Sequence, residues 1–399
     1  MSLHLHHNQH INNFLQNKEM NEVYLSYGIS NFALGLIYIF VPVYLYKLGY
    51  SIPAVMFYFL LLNIGFVSFS YIGAKIVAKL GVKHSMLIAT PILIAYLLGL
   101  RVIVDYPWLY YILPLVLAFK SVLYNYSFHL NFVQHSDRQT RGKQVSLLQA
   151  AALAGSLLSP IAGGFLIKFF GFPMLFIVGS VILMFSVIPL FFTADTYEKI
   201  SFNKTSLIKD IFKKENLPLT LSYSGYAIED WIGFVLWPIF LAAIAFSTES
   251  IGEIVSISAT LTFLIFYLIG KATDEQDRKK LIKIGTVLYF FGWLGRLFVN
   301  SFFSVLFIDT YKKITGQILQ IPWSAYSYDL AAKSNYFRFI VAREIIFDLS
   351  RAVVIPFVIL PFYFNFHPFG LAFLVAALAS LFYAALSKME IGSEKLPSE

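Results

Sequence analysis

The chain contains no cysteine. Disulfides, thiolate metal sites and cysteine nucleophiles are therefore excluded. Charge is scarce as well: only 13% of the 399 residues are Asp, Glu, Lys or Arg, against roughly 25% in an ordinary soluble domain. No HExxH, GxSxG or Walker sequence occurs, so the usual signatures of zinc hydrolysis, serine hydrolysis and direct ATP driving are missing, and an enzyme is not expected. Short alternating segments of the transmembrane-barrel kind are absent too.

What is abundant is apolar sequence, 58% of the chain, laid out in long blocks between short charged stretches. Each block is about 20 residues or longer, the length a helix needs to cross ~30 Å of hydrocarbon. The expectation is an all-α polytopic membrane protein with twelve transmembrane helices. They lie near 23–46, 52–74, 84–104, 107–133, 144–168, 171–193, 217–246, 250–270, 281–300, 302–332, 338–364 and 367–387. Residues 1–22 carry His4, His6, His7 and His10. They lack the order of a signal peptide and the ligand spacing of a metal site, and read as a solvated tail.

Assigning the loops alternately separates the basic residues. One side holds Lys75, Lys79, Lys83, Arg138, Arg141, Lys143, Lys199, Lys204, Lys209, Lys213 and Lys214, then Lys271, Arg278, Lys279, Lys280 and Lys283, joined by Lys18, Lys333, Arg338, Lys388 and Lys395. The other side has only Lys47, Arg101, Lys168 and Arg296. The positive-inside rule then puts both termini in the cytoplasm of a multi-pass plasma or inner membrane protein. It accounts for the net charge of +8 without nucleic acid. The longest loop, 194–216, divides the chain into a six-helix bundle over 23–193 and another over 217–387, with tails 1–22 and 388–399 outside them. Within the loop, "LIKDIFKKE" reads equally well as a short interfacial helix or a solvated linker.

The halves echo each other. Pro42 and Pro238 are 196 residues apart, as are Pro160 and Pro356, and Gly73 and Gly270 are 197 apart. Three matches at nearly one offset favour a duplicated unit with pseudo-symmetric halves. In the second half "GKATDEQDRKK" carries Gly270, Asp274, Arg278 and Lys279; in the first, "GAKIVAKLGVKH" carries Gly73, Lys79, Gly81 and Lys83, with Ala78 where an aspartate would stand. These loops resemble the glycine, aspartate and base motif of the major facilitator superfamily. The segment "GSLLSPIAGG" resembles that family's fifth-span motif at Gly155, Pro160, Gly163 and Gly164, where small residues allow close helix packing. The resemblance implies gating by the loop motif, and a central cavity lined by spans one, four, seven and ten. It associates the fifth-span motif with antiport.

Charges in hydrocarbon are costly and face an aqueous or protein interior. They fall on three of those four spans: Lys120 in span four, Glu229 and Asp230 in span seven, and Asp309, Lys312 and Lys313 in span ten. Tyr226 and Trp237 share helical stripes with the span-seven acids. Glu344, Asp348 and Arg351 form a further stripe in span eleven, expected to be a salt-bridge network between the halves or within the helix, in preference to a substrate contact. The reading is a secondary transporter working by alternating access, with a polar, anionic or zwitterionic solute and protons as partners. Glu229 or Asp230 is expected to be the coupling group. The protein is expected to act as a monomer in the bilayer, with no cofactor and no metal. Two alternatives stand beside this reading: a drug/proton antiporter exporting lipophilic compounds, and a transporter-like receptor or scaffold.

Overall fold

In the computed structural model the described residues are 18–136, 141–192, 194–195, 211, 213–244, 246–275 and 277–389. The histidines of the tail and most of the loop 194–216 lie outside them. No strand occurs among the described residues. The helices are α1 (Lys18–Ile37), α2 (Phe40–Lys47), α3 (Ile52–Leu80), α4 (Val82–Arg101), α5 (Leu109–His135), α6 (Arg141–Ser156) and α7 (Ser159–Ser186). Then come α8 (Leu217–Trp231), α9 (Trp237–Ala243), α10 (Thr248–Glu275), α11 (Arg278–Gly295), α12 (Phe302–Ala332), α13 (Tyr336–Phe364) and α14 (Pro368–Ser380), with a 3-10 turn over Leu381–Lys388. Eight segments among the described residues are long and apolar enough to cross a membrane. Large apolar side chains such as Phe169, Phe303 and Phe364 face outward, as a lipid surround requires.

Several expected spans contain two helices, and the breaks have local causes. Proline cannot donate to the carbonyl four residues earlier, and its ring crowds that carbonyl. Pro42 lies four residues after Tyr38, where α1 gives way to α2. Pro238 lies four after Phe234, inside a wide π-type turn over Ile232–Leu236 that joins α8 to α9. The two breaks are offset by the same 196 residues as the prolines. The likeness is not uniform, because Pro160 follows a break between α6 and α7 whereas Pro356 sits inside an unbroken α13.

Within α7 the chain reverses at Gly171, whose φ of 76° suits a residue without Cβ. A Cβ at Gly163 would meet the Phe40 ring at 2.9 Å, and one at Gly179 would meet Ile37 Cγ1 at 2.9 Å. Residues eight before and eight after Gly171 thus meet the same level of the first span, so the two arms of α7 are antiparallel. Helices of the two sequence halves meet along two seams, α3 with α13 and α7 with α10. A twofold relation between halves exchanges these seams. In the second, the backbones touch: a Cβ at Gly164 would lie 2.7 Å from the Thr248 carbonyl, and one at Gly252 3.0 Å from the Pro160 carbonyl carbon. Ile161 N–H, left without an intrahelical acceptor, donates to Ser256 Oγ at 3.1 Å.

The loop motif is mostly helix. Gly73 and Lys79 belong to α3, and the connection to α4 is Gly81 alone, at φ 89°. There Asp195 accepts from the backbone N–H groups of Lys83 and His84, both at 3.0 Å. Lys83 pairs with Glu22 at 3.0 Å in a buried site. In the second half Asp277 caps α11 by accepting from Lys279 N–H at 2.9 Å. Gly270 and Asp274 lie on α10, in a stretch whose side chains fall outside the described residues. Arg278 pairs with Asp329 at 2.6 Å and Lys279 lies over the Tyr326 ring.

Leucine at position 163 would collide with the Leu36 carbonyl and the Phe40 ring. Overpacking of this kind costs about 1–3 kcal/mol. Gly163→Leu is expected to lower the thermal unfolding midpoint in detergent, and an unchanged midpoint would count against the close approach.

Candidate substrate cavity and charge clusters

A cavity of about 460 Å³ lies at the centre of the bundle, within the ~300–1,000 Å³ range of small-molecule sites. Its walls come from both sequence halves. Tyr27, Asn31 and Tyr38 reach it from α1 and the turn after it, Asn63 from α3, and Lys120, Tyr124 and His129 from α5. The other wall holds Tyr226 and Asp230 of α8, Gln320 and Trp323 of α12, and Arg343 and Arg351 of α13.

Each guanidinium has a carboxylate. Arg351 Nη2 donates to Asp230 Oδ2 at 2.9 Å and its Nε to the Ala227 carbonyl at 3.1 Å; Asp348 lies 3.5 Å from Nη1, one turn away on α13. Arg343 Nη2 donates to Glu344 Oε1 at 2.8 Å. Glu344 also meets α5 through Asn125 at 3.3 Å and His129 at 3.7 Å, and His129 Nδ1 lies 2.7 Å from the Tyr328 hydroxyl. Within the span-eleven stripe both expected kinds of contact occur: Glu344 reaches across to α5, while Asp348 and Arg351 pair within α13 and Arg351 reaches α8. The reason is reach: Asp230 on the neighbouring α8 and Asp348 one turn away on α13 are both within 3.5 Å of the Arg351 guanidinium.

Lys120 is different. It is 5% exposed and 11 residues into α5, ~17 Å along the helix axis. Its ammonium sits 4.4 Å from the Tyr124 ring centroid. Among the described residues it has no hydrogen bond or ion pair; of the partners open to a buried ammonium, no carboxylate of either half lies beside it, which leaves a solute or water.

Glu229 does not border the cavity. It is 1% exposed and points into packing between α8, α11, α12 and the final 3-10 turn. Its Oε2 accepts from Tyr289 OH and Trp293 Nε1, both at 3.0 Å, and its Oε1 accepts from Tyr383 OH at 2.7 Å. Lys312 Nζ is 3.7 Å away and also donates to Tyr289 OH. A second cluster surrounds Asp309, which meets Lys313 at 3.1 Å and Arg296 at 3.2 Å and accepts from Ser258 Oγ at 2.8 Å. Arg296 lies with its guanidinium 3.9 Å over the Trp237 ring.

These positions correct part of the expected cavity. Asp309, Lys312, Lys313 and Trp237 are not in its walls. On α12, only the turns from Gln320 onward border it, while those before Pro322 pack between α10 and α11. Trp237 shares the stripe of Asp230 on an ideal helix, but the wide turn at 232–236 inserts about one residue and rotates the helix beyond it by ~100°. Phe234 takes the cavity position and Trp237 turns toward Arg296 and Phe373. Tyr226 does line the cavity, stacked on Trp323 at 5.1 Å. Sequence reasoning missed Arg296 as a buried residue, assigning it to a loop. Its one signal was being a base on the base-poor side. It also passed over His129, which sits near a span end and has no ligand spacing.

The sequence model of the Major Facilitator Superfamily matches residues 23–247. The chain belongs to the major facilitator superfamily. The multi-drug resistance efflux pump PmrA of Streptococcus pneumoniae is 24% identical over 232 residues, covering 56% of this chain and 54% of the pump. The multidrug resistance protein MdtG of Citrobacter koseri is 25% identical over 155 residues, 36% of this chain and 38% of that protein. The chain thus spans about half the length, or less, of these curated relatives. Two solved structures share the fold over nearly all of it. A D-xylose-proton symporter superposes with a TM-score of 0.64 at 14% identity, covering 93% of this chain and 97% of the symporter. The E. coli fucose:proton symporter FucP superposes with a TM-score of 0.66 at 10% identity, covering 92% and 97%. The protein is a multi-pass membrane protein of this superfamily of transporters.

Removing one partner of a buried ion pair leaves the other charge uncompensated, at about 3–5 kcal/mol. Asp309→Ala strands Arg296 and Lys313 and is expected to lower the unfolding midpoint sharply. Asp230→Ala, at a side chain 44% exposed to the cavity, is expected to lower it much less. Equal losses in the two variants would contradict this division.

Proposed function

We propose that the protein is a proton-coupled secondary transporter, moving a small polar, anionic or zwitterionic solute through the central cavity by alternating access. The observation that carries this reading is one cavity walled by both sequence halves and holding Lys120, Asp230, Arg343 and Arg351. The halves 23–193 and 217–387 act as the two rocking units, with both termini in the cytoplasm. Their contacts at α3 with α13 and at α7 with α10 are the seams that slide. Gly155, Pro160, Gly163 and Gly164 keep the fifth span close to the first span and to α10. Gly73, Lys79, Gly81, Lys83, Gly270, Asp274, Arg278 and Lys279 serve the turns that open and close one end.

Asp230 is the coupling carboxylate in this reading. It faces the cavity, so water and protons reach it, and its only strong partner among the described residues is Arg351. Protonation neutralises it and frees that guanidinium, a difference the two open states can exploit. Glu229 is the structural acid: three neutral donors and Lys312 hold it out of the cavity. The proton symporters that share the fold support proton coupling in general.

A second reading, export of lipophilic compounds against protons, draws support from the efflux pumps among the relatives and from the aromatic walls. Flux measured in proteoliposomes under an imposed pH gradient tests both, with a solute panel that includes a lipophilic cation. Asp230→Asn is expected to abolish proton-driven flux while leaving solute exchange without a gradient. Proton-driven flux retained in Asp230→Asn would remove Asp230 from the coupling step. Movement of the lipophilic cation alone would favour the second reading.

A further inference from the structure

We propose that the solute is an organic carboxylate with a flat apolar body, and that its carboxylate docks on Lys120. The inference rests on the transport reading and narrows its substrate class.

The first support is charge. Four side chains that ionise strongly line the cavity: Lys120, Asp230, Arg343 and Arg351. Both guanidiniums are matched within 3 Å, by Asp230 and Glu344. Lys120 is left over, nine-tenths buried and facing the void with only the Tyr124 π-face beside it among the described residues. A ring face stabilises an ammonium only in part. An unpaired ammonium at that depth is costly to keep. Lysines elsewhere in the bundle show what the fold does when it has only to neutralise a cation: Lys312 and Lys313 each lie within 4 Å of a carboxylate. Lys120 has no such carboxylate on its own side of the cavity, and one carried by a solute would supply charge-assisted hydrogen bonds. A cationic solute would meet one carboxylate there, Asp230, already engaged by Arg351.

The second support is the shape of the walls. Tyr27 stacks on Phe128 at 4.6 Å, and Phe128 lies parallel to Tyr124 at 6.0 Å. From the other half, Tyr226 stacks on Trp323 at 5.1 Å and leans on Phe347 at 4.9 Å. Two aromatic shelves therefore face one void, with the ammonium against the first. A planar apolar group is held by offset or edge contacts with such rings.

The test uses three probes with one body and three head groups: 3-phenylpropionate, 3-phenylpropanol and 3-phenylpropylamine. Binding to the purified full chain in detergent is measured by titration calorimetry. The carboxylate is expected to bind at least tenfold more tightly than the alcohol or the amine. Lys120→Met is expected to erase that preference, and Lys120→Arg to retain it. Thermal unfolding confirms that both variants fold; should Lys120→Met fail to, Lys120→Gln replaces it. An amine that binds as well as the carboxylate, no carboxylate binding at all, or a preference that survives loss of the charge at 120 overturns the proposal. If the carboxylate docks on Lys120 yet never crosses proteoliposomes, the docking site stands and the transport reading falls. If other solutes cross while the carboxylate is ignored, the reverse holds.

Discussion

The structure depends on one constraint: an ionised side chain taken out of water is costly unless it finds its opposite within a few ångströms. In this bundle several such matches are also joints between helices. Glu229 draws Tyr289 and Trp293 of α11, Lys312 of α12 and Tyr383 of the last turn onto α8. Asp309 does the same for α10, through Ser258, and for Arg296 at the end of α11. Arg351 binds α13 to α8 at the cavity wall. The second sequence half is thus stitched by ions. The described spans of the first half carry few. Close backbone approach at glycine occurs in both halves, at Gly155 and Gly163 in the first and at Gly225 and Gly285 in the second. The two halves share a plan and differ in how many ions fasten them.

That difference bears on function. The packing fastened through Glu229 and Asp309 is stiff, because breaking the first strands Lys312 and breaking the second strands both Arg296 and Lys313. The wall at Asp230 and Arg351 is one exposed pair, replaceable by a solute or by a proton. In the proposed transport reading the coupling chemistry sits at this exposed pair.

The architecture was legible in the sequence because hydrocarbon imposes length and polarity on every span. Helix-level rules also foresaw which spans carry charge. They failed at direction. Glu229 and Asp230 are neighbours ~100° apart on a helix, and sequence alone does not say which one meets water. The three aromatic donors that claim Glu229 come from residues 289, 293 and 383, a pairing no local pattern contains. Trp237 was misplaced by a single wide turn, since periodicity assumes an unbroken register. Arg296 looked like a loop base because it comes just after the end of α11, and only the fold brings Asp309 beneath it. Asp277 caps α11 because α10 runs on to Glu275 before the chain turns.

The wide turn over Ile232–Leu236 has a mechanical side. An α-helix is a rigid screw: turning one end turns the other. A π-type turn holds about one residue of slack in the thread. Asp230 and Glu229 lie below it; Trp237, stacked with Arg296, lies above it. The lower end can stay locked to the cations and aromatic donors around its two carboxylates while the upper end winds or unwinds. If the slack were taken up, everything beyond Leu236 would rotate by ~100°, and a different row of side chains would meet the first half. The span that carries both acids is thus two shafts coupled by a loose thread, free to move at one end without disturbing the charges at the other.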